Sequence, residues 1–289
     1  MFKGSAVALV TPMKRDGEID WVRFGELIEW HIDQGTDAII PVGTTGESAT
    51  VSMTEHFSLV GSAVEAAAGR VPIIAGTGAN STAEAIELTK AAKGSGADAC
   101  LLVTPYYNKP TQNGLLQHFS AIAKSVELPQ ILYNVPSRTG CDLLPETIAQ
   151  LNESDLVIGI KEATGNLERA KAIMSACDIP VYSGDDETSC DLMLMGGSGT
   201  ISVTANVAPM KMAKMSKAAL SGNFKLAKEL DSELSGLHRD LFLESNPIPV
   251  KWALYEIGKI DLGIRLPMTE FAPKYHHLLR KSLSQAGVS

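Results

Sequence analysis

Short apolar runs rich in β-branched residues recur roughly every thirty residues, with amphipathic segments between them, and this alternation restricts the chain to a parallel α/β architecture. The runs are Ala6–Val10, Ala38–Val42, Val71–Ala75, Ala99–Val103, Gln130–Tyr133, Leu156–Ile160, Val181–Tyr182 and Thr200–Val203. Their hydrophobicity is nearly continuous, as it is in strands covered on both faces. The segments between them carry helical spacing, for example Trp21, Phe24, Leu27, Ile28 and Ile32, or Phe57, Val60, Ala63, Val64 and Ala67. Eight such units, with no Gly-x-Gly-x-x-Gly after the first strand, favour a closed (β/α)8 TIM barrel over a doubly wound sheet. Beyond Asn223 the chain reads as helices only, broken at Ser245–Pro249 and Leu266–Pro267. The expected organisation is a barrel over residues 1–222 followed by a C-terminal helical appendage over residues 223–289.

A net charge of -8 and the lack of a Lys/Arg stripe argue against nucleic acid as a partner. No apolar stretch has the 18 or so residues that a membrane span needs. The first apolar run is too short for a signal segment and is followed by charge, so a cytoplasmic protein is expected. Cys100, Cys141, Cys177 and Cys190 are widely spaced and read as reduced thiols. Small molecules and copies of the chain itself remain as partners.

Barrel enzymes carry their reacting groups at the carboxyl ends of the strands. Lys161 follows the sixth run, where burial would disfavour its charge and free the amine to attack a carbonyl carbon; the alternatives are pairing with Glu162 or Asp185, or snorkelling to solvent. Gly43-Thr44-Thr45-Gly46-Glu47 would open the helix after the second strand and offer backbone N–H groups to an anion, although such turns also arise for conformational reasons alone. Without a following Lys-Ser/Thr it does not suit a nucleotide. Tyr133 ends the fifth run and could relay protons through Thr44 and Tyr107, or be a core-edge aromatic with a bonded tip. Arg138, in a Pro-containing loop, suits a bidentate grip on a carboxylate. The scattered histidines make no ligand cluster, and Asp185-Asp186 reads as a solvated acidic pair, so no metal is expected.

Together and in order, Gly43–Glu47, Thr104-Pro105-Tyr106-Tyr107-Asn108, Tyr133–Gly140, Gly159-Ile160-Lys161-Glu162-Ala163 and Asn246–Lys251 resemble the dihydrodipicolinate synthases over nearly the whole chain. The resemblance implies condensation of pyruvate with L-aspartate 4-semialdehyde through a Lys161 imine, with no cofactor. It implies proton transfer by Tyr133, linked through Thr44 to a Tyr107 supplied by the neighbouring subunit. Thr45, Gly184 and the carbonyl of Ile201 would line the pyruvate pocket, and Arg138 would hold the semialdehyde carboxylate. A homo-oligomer is implied, usually a tetramer built as a dimer of dimers.

L-lysine is implied as an inhibitor bound at the dimer interface, at positions matching Ser48, Ala49, Met53, His56, Asn80, Glu84 and Tyr106. Met53 departs from the histidine of lysine-sensitive enteric-type members, which puts the strength of inhibition in doubt. N-acetylneuraminate lyase and the 2-keto-3-deoxy sugar-acid aldolases share the barrel and the lysine. Thr44, where sialic acid lyases typically carry serine, and Arg138 favour the synthase. A metabolite-sensing relative would have no need of both the Lys161 nucleophile and the Tyr133, Thr44 and Tyr107 relay.

Overall fold

The computed structural model describes residues 2–288. Eight parallel strands alternate with helices: β1 (Gly4–Ala8), α1 (Trp21–Asp33), β2 (Ala38–Ile40), α2 (Met53–Ala67), β3 (Ile74–Gly76), α3 (Thr82–Gly94), β4 (Ala99–Val103), α4 (Gln112–Ser125), β5 (Gln130–Asn134), α5 (Pro136–Thr139), α6 (Pro145–Leu151), β6 (Val157–Glu162), α7 (Leu167–Ala176), β7 (Val181–Ser183), α8 (Asp186–Leu194), β8 (Gly199–Ser202) and α9 (Pro209–Leu220). Three further helices follow, α10 (Phe224–Asp240), α11 (Ile248–Glu256) and α12 (His276–Gln285). The strands are ordered β2-β1-β8-β7-β6-β5-β4-β3, and a parallel bridge between Ile39 and Ile73 closes the ring. This is the (β/α)8 barrel that the alternation implies.

Period-two alternation divides the strand side chains into two layers. Ala6, Ala38, Ile40, Ile74, Leu101, Ile131, Tyr133, Tyr182 and Ile201 fill the barrel, with Tyr182 stacked on Phe2 and donating to its carbonyl (2.9 Å). Val7, Ile39, Leu102, Leu132 and Ile160 point outward against helix faces that include Phe24, Leu27, Leu59, Phe119 and Ile173. Between β5 and β6 the pairing jumps from Gln130–Val157 to Ile131–Gly159, so Ile158 is an extra residue on β6.

The strand limits differ from the apolar runs in a consistent way. Leu9 and Val10 are fully buried but lie beyond β1: the Leu9 N–H still donates to the Ile40 carbonyl (3.0 Å), and the Val10 N–H leaves the ladder for Asn206 Oδ1 (3.1 Å). Conversely, β6 runs past Ile160 through Lys161 and Glu162, so Lys161 is a strand residue. The region after Asn223 is not all helix: turns and a short 3-10 segment occupy residues 257–275, where Gly258 takes a left-handed φ of 70° and prolines interrupt helical bonding. All four cysteines are free, and among the described residues no helix is long and apolar enough to cross a membrane.

Candidate active site

A cavity of about 400 Å³ opens at the carboxyl ends of the strands, lined by Thr44, Thr45, Tyr133, Arg138, Lys161, Gly184 and Asp186 among others. Register places Lys161 beside Tyr133 on adjacent strands, both facing the interior, and the ammonium stands 4.3 Å from the phenol ring centroid. Lys161 is only 6% exposed. Burial lowers its pKa to about 8, with the carboxylate of Asp186 opposing that shift and the charge of Arg138 adding to it. Neither neighbouring acid neutralises it. Glu162 faces the helices and accepts from Asn134 Nδ2 (3.1 Å) and the Thr164 N–H (2.9 Å), while Asp185 caps α8 by accepting from the Thr188 N–H (3.0 Å).

Gly184 makes room for this side chain. A Cβ there would lie 2.6 Å from Ala163 Cβ and 2.7 Å from Lys161 Cε. Asp186 is not the solvated acid its sequence suggests. With Asp185 taking the cap, Asp186 is the first helical residue, and its buried Oδ2 accepts from the N–H groups of Val203 (3.0 Å) and Thr204 (2.8 Å). Its Oδ1 has no hydrogen-bond partner in the described structure.

The segment Gly43–Glu47 does not open a helix. It forms successive turns, and α2 starts only at Met53 because Ser52 and Glu55 form a reciprocal capping box. Gly46, Glu47 and Ser48 N–H groups bond to carbonyls within the turn, whereas those of Thr44 and Thr45 find no acceptor in the described chain. Both residues line the cavity. Burial raises the pKa of the Tyr133 phenol, and Arg138 and the nearby Thr44 hydroxyl offset part of the rise. Arg138 Nη2 donates to the carbonyl of Asn246 (3.3 Å), whose side-chain Nδ2 donates to Thr45 Oγ1 (3.0 Å).

The family of the chain follows from comparison with known proteins. A model of the dihydrodipicolinate synthetase family matches residues 1–286. The chain belongs to that family. The 4-hydroxy-tetrahydrodipicolinate synthase of Alcanivorax borkumensis is 60% identical over 290 residues, covering 100% of this chain and 99% of the relative. Among solved structures, the chloride-inhibited dihydrodipicolinate synthase of Acinetobacter baumannii complexed with pyruvate is 56% identical, with a TM-score of 0.99 and 100% of both chains covered. The Cyanidioschyzon merolae enzyme with lysine bound is 39% identical, with a TM-score of 0.96 over 100% of this chain and 99% of that one.

Two positions that the dihydrodipicolinate synthase pattern marks lie outside the cavity of the single chain. Tyr107 is 89% exposed on a left-handed backbone (φ 76°) and does not line it. Ile201 is buried in the inner layer of β8 and is not among the lining residues. Of the positions matched to lysine, Ser48 lines this cavity, while Asn80, Glu84 and Tyr106 stand together: Asn80 Nδ2 donates to the Tyr106 carbonyl (3.2 Å), and Glu84 lies close enough for its charge, after burial, to raise the Tyr106 phenol. His56 is buried, its Nε2–H donating to the Gly76 carbonyl (2.7 Å), and burial lowers its pKa. Met53 is half-buried at the start of α2, and Ser48 and Ala49 are exposed. Among the described residues no group of three or more His, Cys, Asp or Glu side chains is placed to hold a metal ion.

Sequence reading missed Asp186 and the role of Asn246. The first is signalled by Asp185-x-x-Thr188, a cap pattern that commits one acid of the pair and leaves the other free to turn inward. The second has no local signal, since its partners Arg138 and Thr45 lie 108 and 201 residues earlier in the chain.

Proposed function

We propose that this chain is a 4-hydroxy-tetrahydrodipicolinate synthase, a lyase that condenses pyruvate with L-aspartate 4-semialdehyde through an imine on Lys161. The observation that carries the reading is a buried lysine amine lining the cavity, with a pKa lowered to about 8 and both Glu162 and Asp185 engaged elsewhere. The neutral amine attacks the pyruvate ketone, and loss of water leaves an iminium that draws electrons from the methyl group. Tyr133, beside Lys161, takes and returns the protons of these steps. The resulting enamine carbon forms a bond to the aldehyde carbon, and the semialdehyde's amine then displaces Lys161 to close the ring. The free amides of Thr44 and Thr45 suit the pyruvate carboxylate, and Arg138 at the mouth suits that of the second substrate.

The exposure of Tyr107 supports its use across a subunit interface, so the working unit we propose is at least a dimer, and a dimer of dimers by family pattern. We assign Asn80, Glu84 and Tyr106, together with Ser48, Ala49, Met53 and His56, to a site for inhibitory L-lysine. Treatment with pyruvate and borohydride is expected to add a stable mass to the peptide carrying Lys161, and turnover is expected with aspartate semialdehyde but not with N-acetylmannosamine. Labelling of another residue, or the reverse substrate preference, would remove the reading.

A further inference from the structure

The turn that carries Thr44 and Thr45 is held in an unfavourable backbone conformation. Val42 (φ 54°) and Glu47 (φ 59°) both occupy the left-handed region, which a β-branched residue such as Val42 rarely adopts. Such conformations persist only where the surroundings over-determine them. Within the barrel the Thr11 hydroxyl anchors the turn by donating to the Gly46 carbonyl (2.7 Å), and the Thr50 hydroxyl donates to the Glu47 carbonyl (3.2 Å). Further anchors come from the C-terminal region. Asn246 donates to Thr45, Lys251 on α11 pairs with Glu47 Oε1, and the Arg265 N–H donates to Glu47 Oε2 (3.2 Å). The Arg265 guanidinium also donates to the Thr50 carbonyl (2.9 Å) and pairs with Glu55 (2.6 Å), fixing the far end of the turn.

Lys251 is 4% exposed and its partner Glu47 is similarly enclosed. A buried ion pair of this kind contributes little net stability, because the cost of desolvating two charges offsets their attraction, and apolar residues of similar volume often serve as well. What it does supply is geometry: one oxygen of Glu47 is fixed by Lys251 and the other by Arg265. We infer that the Lys251–Glu47 pair is a positioning device, through which the C-terminal helical region holds the Thr44–Thr45 turn in its reactive shape. The inference rests on the proposed pyruvate chemistry for its kinetic consequence, but not for its structural one.

The test compares Lys251→Met, the double variant Glu47→Gln/Lys251→Met and Lys251→Arg with the parent enzyme, by kcat and KM for both substrates, thermal melting and hydrogen exchange of residues 42–51. Removing Lys251 alone strips the buried Glu47 of its ion-pair partner, so the double variant decides. It is expected to melt close to the parent, to exchange faster over 42–51 alone, and to lose on the order of 10²-fold in kcat, as a misplacement of about 1 Å at reacting groups does. Lys251→Arg is expected to recover most of that loss. A double variant that keeps kcat within about twofold of the parent, or whose exchange is unchanged or raised across the whole barrel, would overturn the inference. If the parent enzyme itself fails to condense the substrates, the functional reading falls, and the exchange measurement alone decides the role of the pair.

Discussion

Gly184→Ala introduces the smallest change that the active site has no space for. The new Cβ would sit 2.6 Å from Ala163 Cβ and 2.7 Å from Lys161 Cε, where ordinary contact begins at 3.4 Å. Relief requires movements of roughly 0.8 Å, and overpacking of this size costs about 1–3 kcal/mol of stability. The lysine stem can move and the backbone of β7 cannot easily do so, so the displacement falls mainly on the amine. A shift near 1 Å at the nucleophile is expected to slow imine formation on the order of 10²-fold. Quenched-flow borohydride trapping, followed by the mass of the Lys161 peptide, measures that step without the second substrate. Adding Ala163→Gly removes one clash and leaves the contact with Lys161, so the double variant is expected to melt nearer the parent while trapping stays slow. A trapping rate within about twofold of the parent in a folded Gly184→Ala protein would refute the assignment of Gly184 as clearance for the nucleophile.

The amine of Lys161 reacts only when neutral, so the trapping rate is expected to climb with pH and level off above about 8. Asp186→Asn removes the charge that favours the ammonium form while keeping an acceptor for Val203 and Thr204, so the midpoint of that profile should move to lower pH; an unchanged or higher midpoint would show that Asp186 does not act on the amine. Glu84→Ala is expected to weaken inhibition by lysine about tenfold or more, as loss of a hydrogen bond to a charged group does, with the KM for pyruvate unchanged. Inhibition of parental strength would remove Glu84 from the lysine site.

The barrel was legible because parallel strands covered on both faces must be apolar throughout, and because each is followed by a helix of clear period. The buried place of Lys161 at the barrel mouth was legible for the same reason, since it closes such a run. The turn at Gly43–Glu47 was misread as a helix start although Ser52-x-x-Glu55, the true signal, stands in the sequence. Asn246, Lys251 and Arg265 were beyond sequence reasoning in a stricter sense. Their partners in the turn are about 200 residues away, and no periodicity or local motif links segments that meet only after the ring has closed.

The extra residue at Ile158 decides more than a local twist. Strand side chains take alternate faces, so the faces are assigned by counting, as a reading frame assigns codons. Were β6 paired regularly from Val157 onward, its inward places would fall to Ile158, Ile160 and Glu162. The observed jump gives them instead to Gly159 and Lys161. Amine and carboxylate are adjacent in the chain, and which of them faces the cavity is set upstream of both, by one residue that stands outside the ladder.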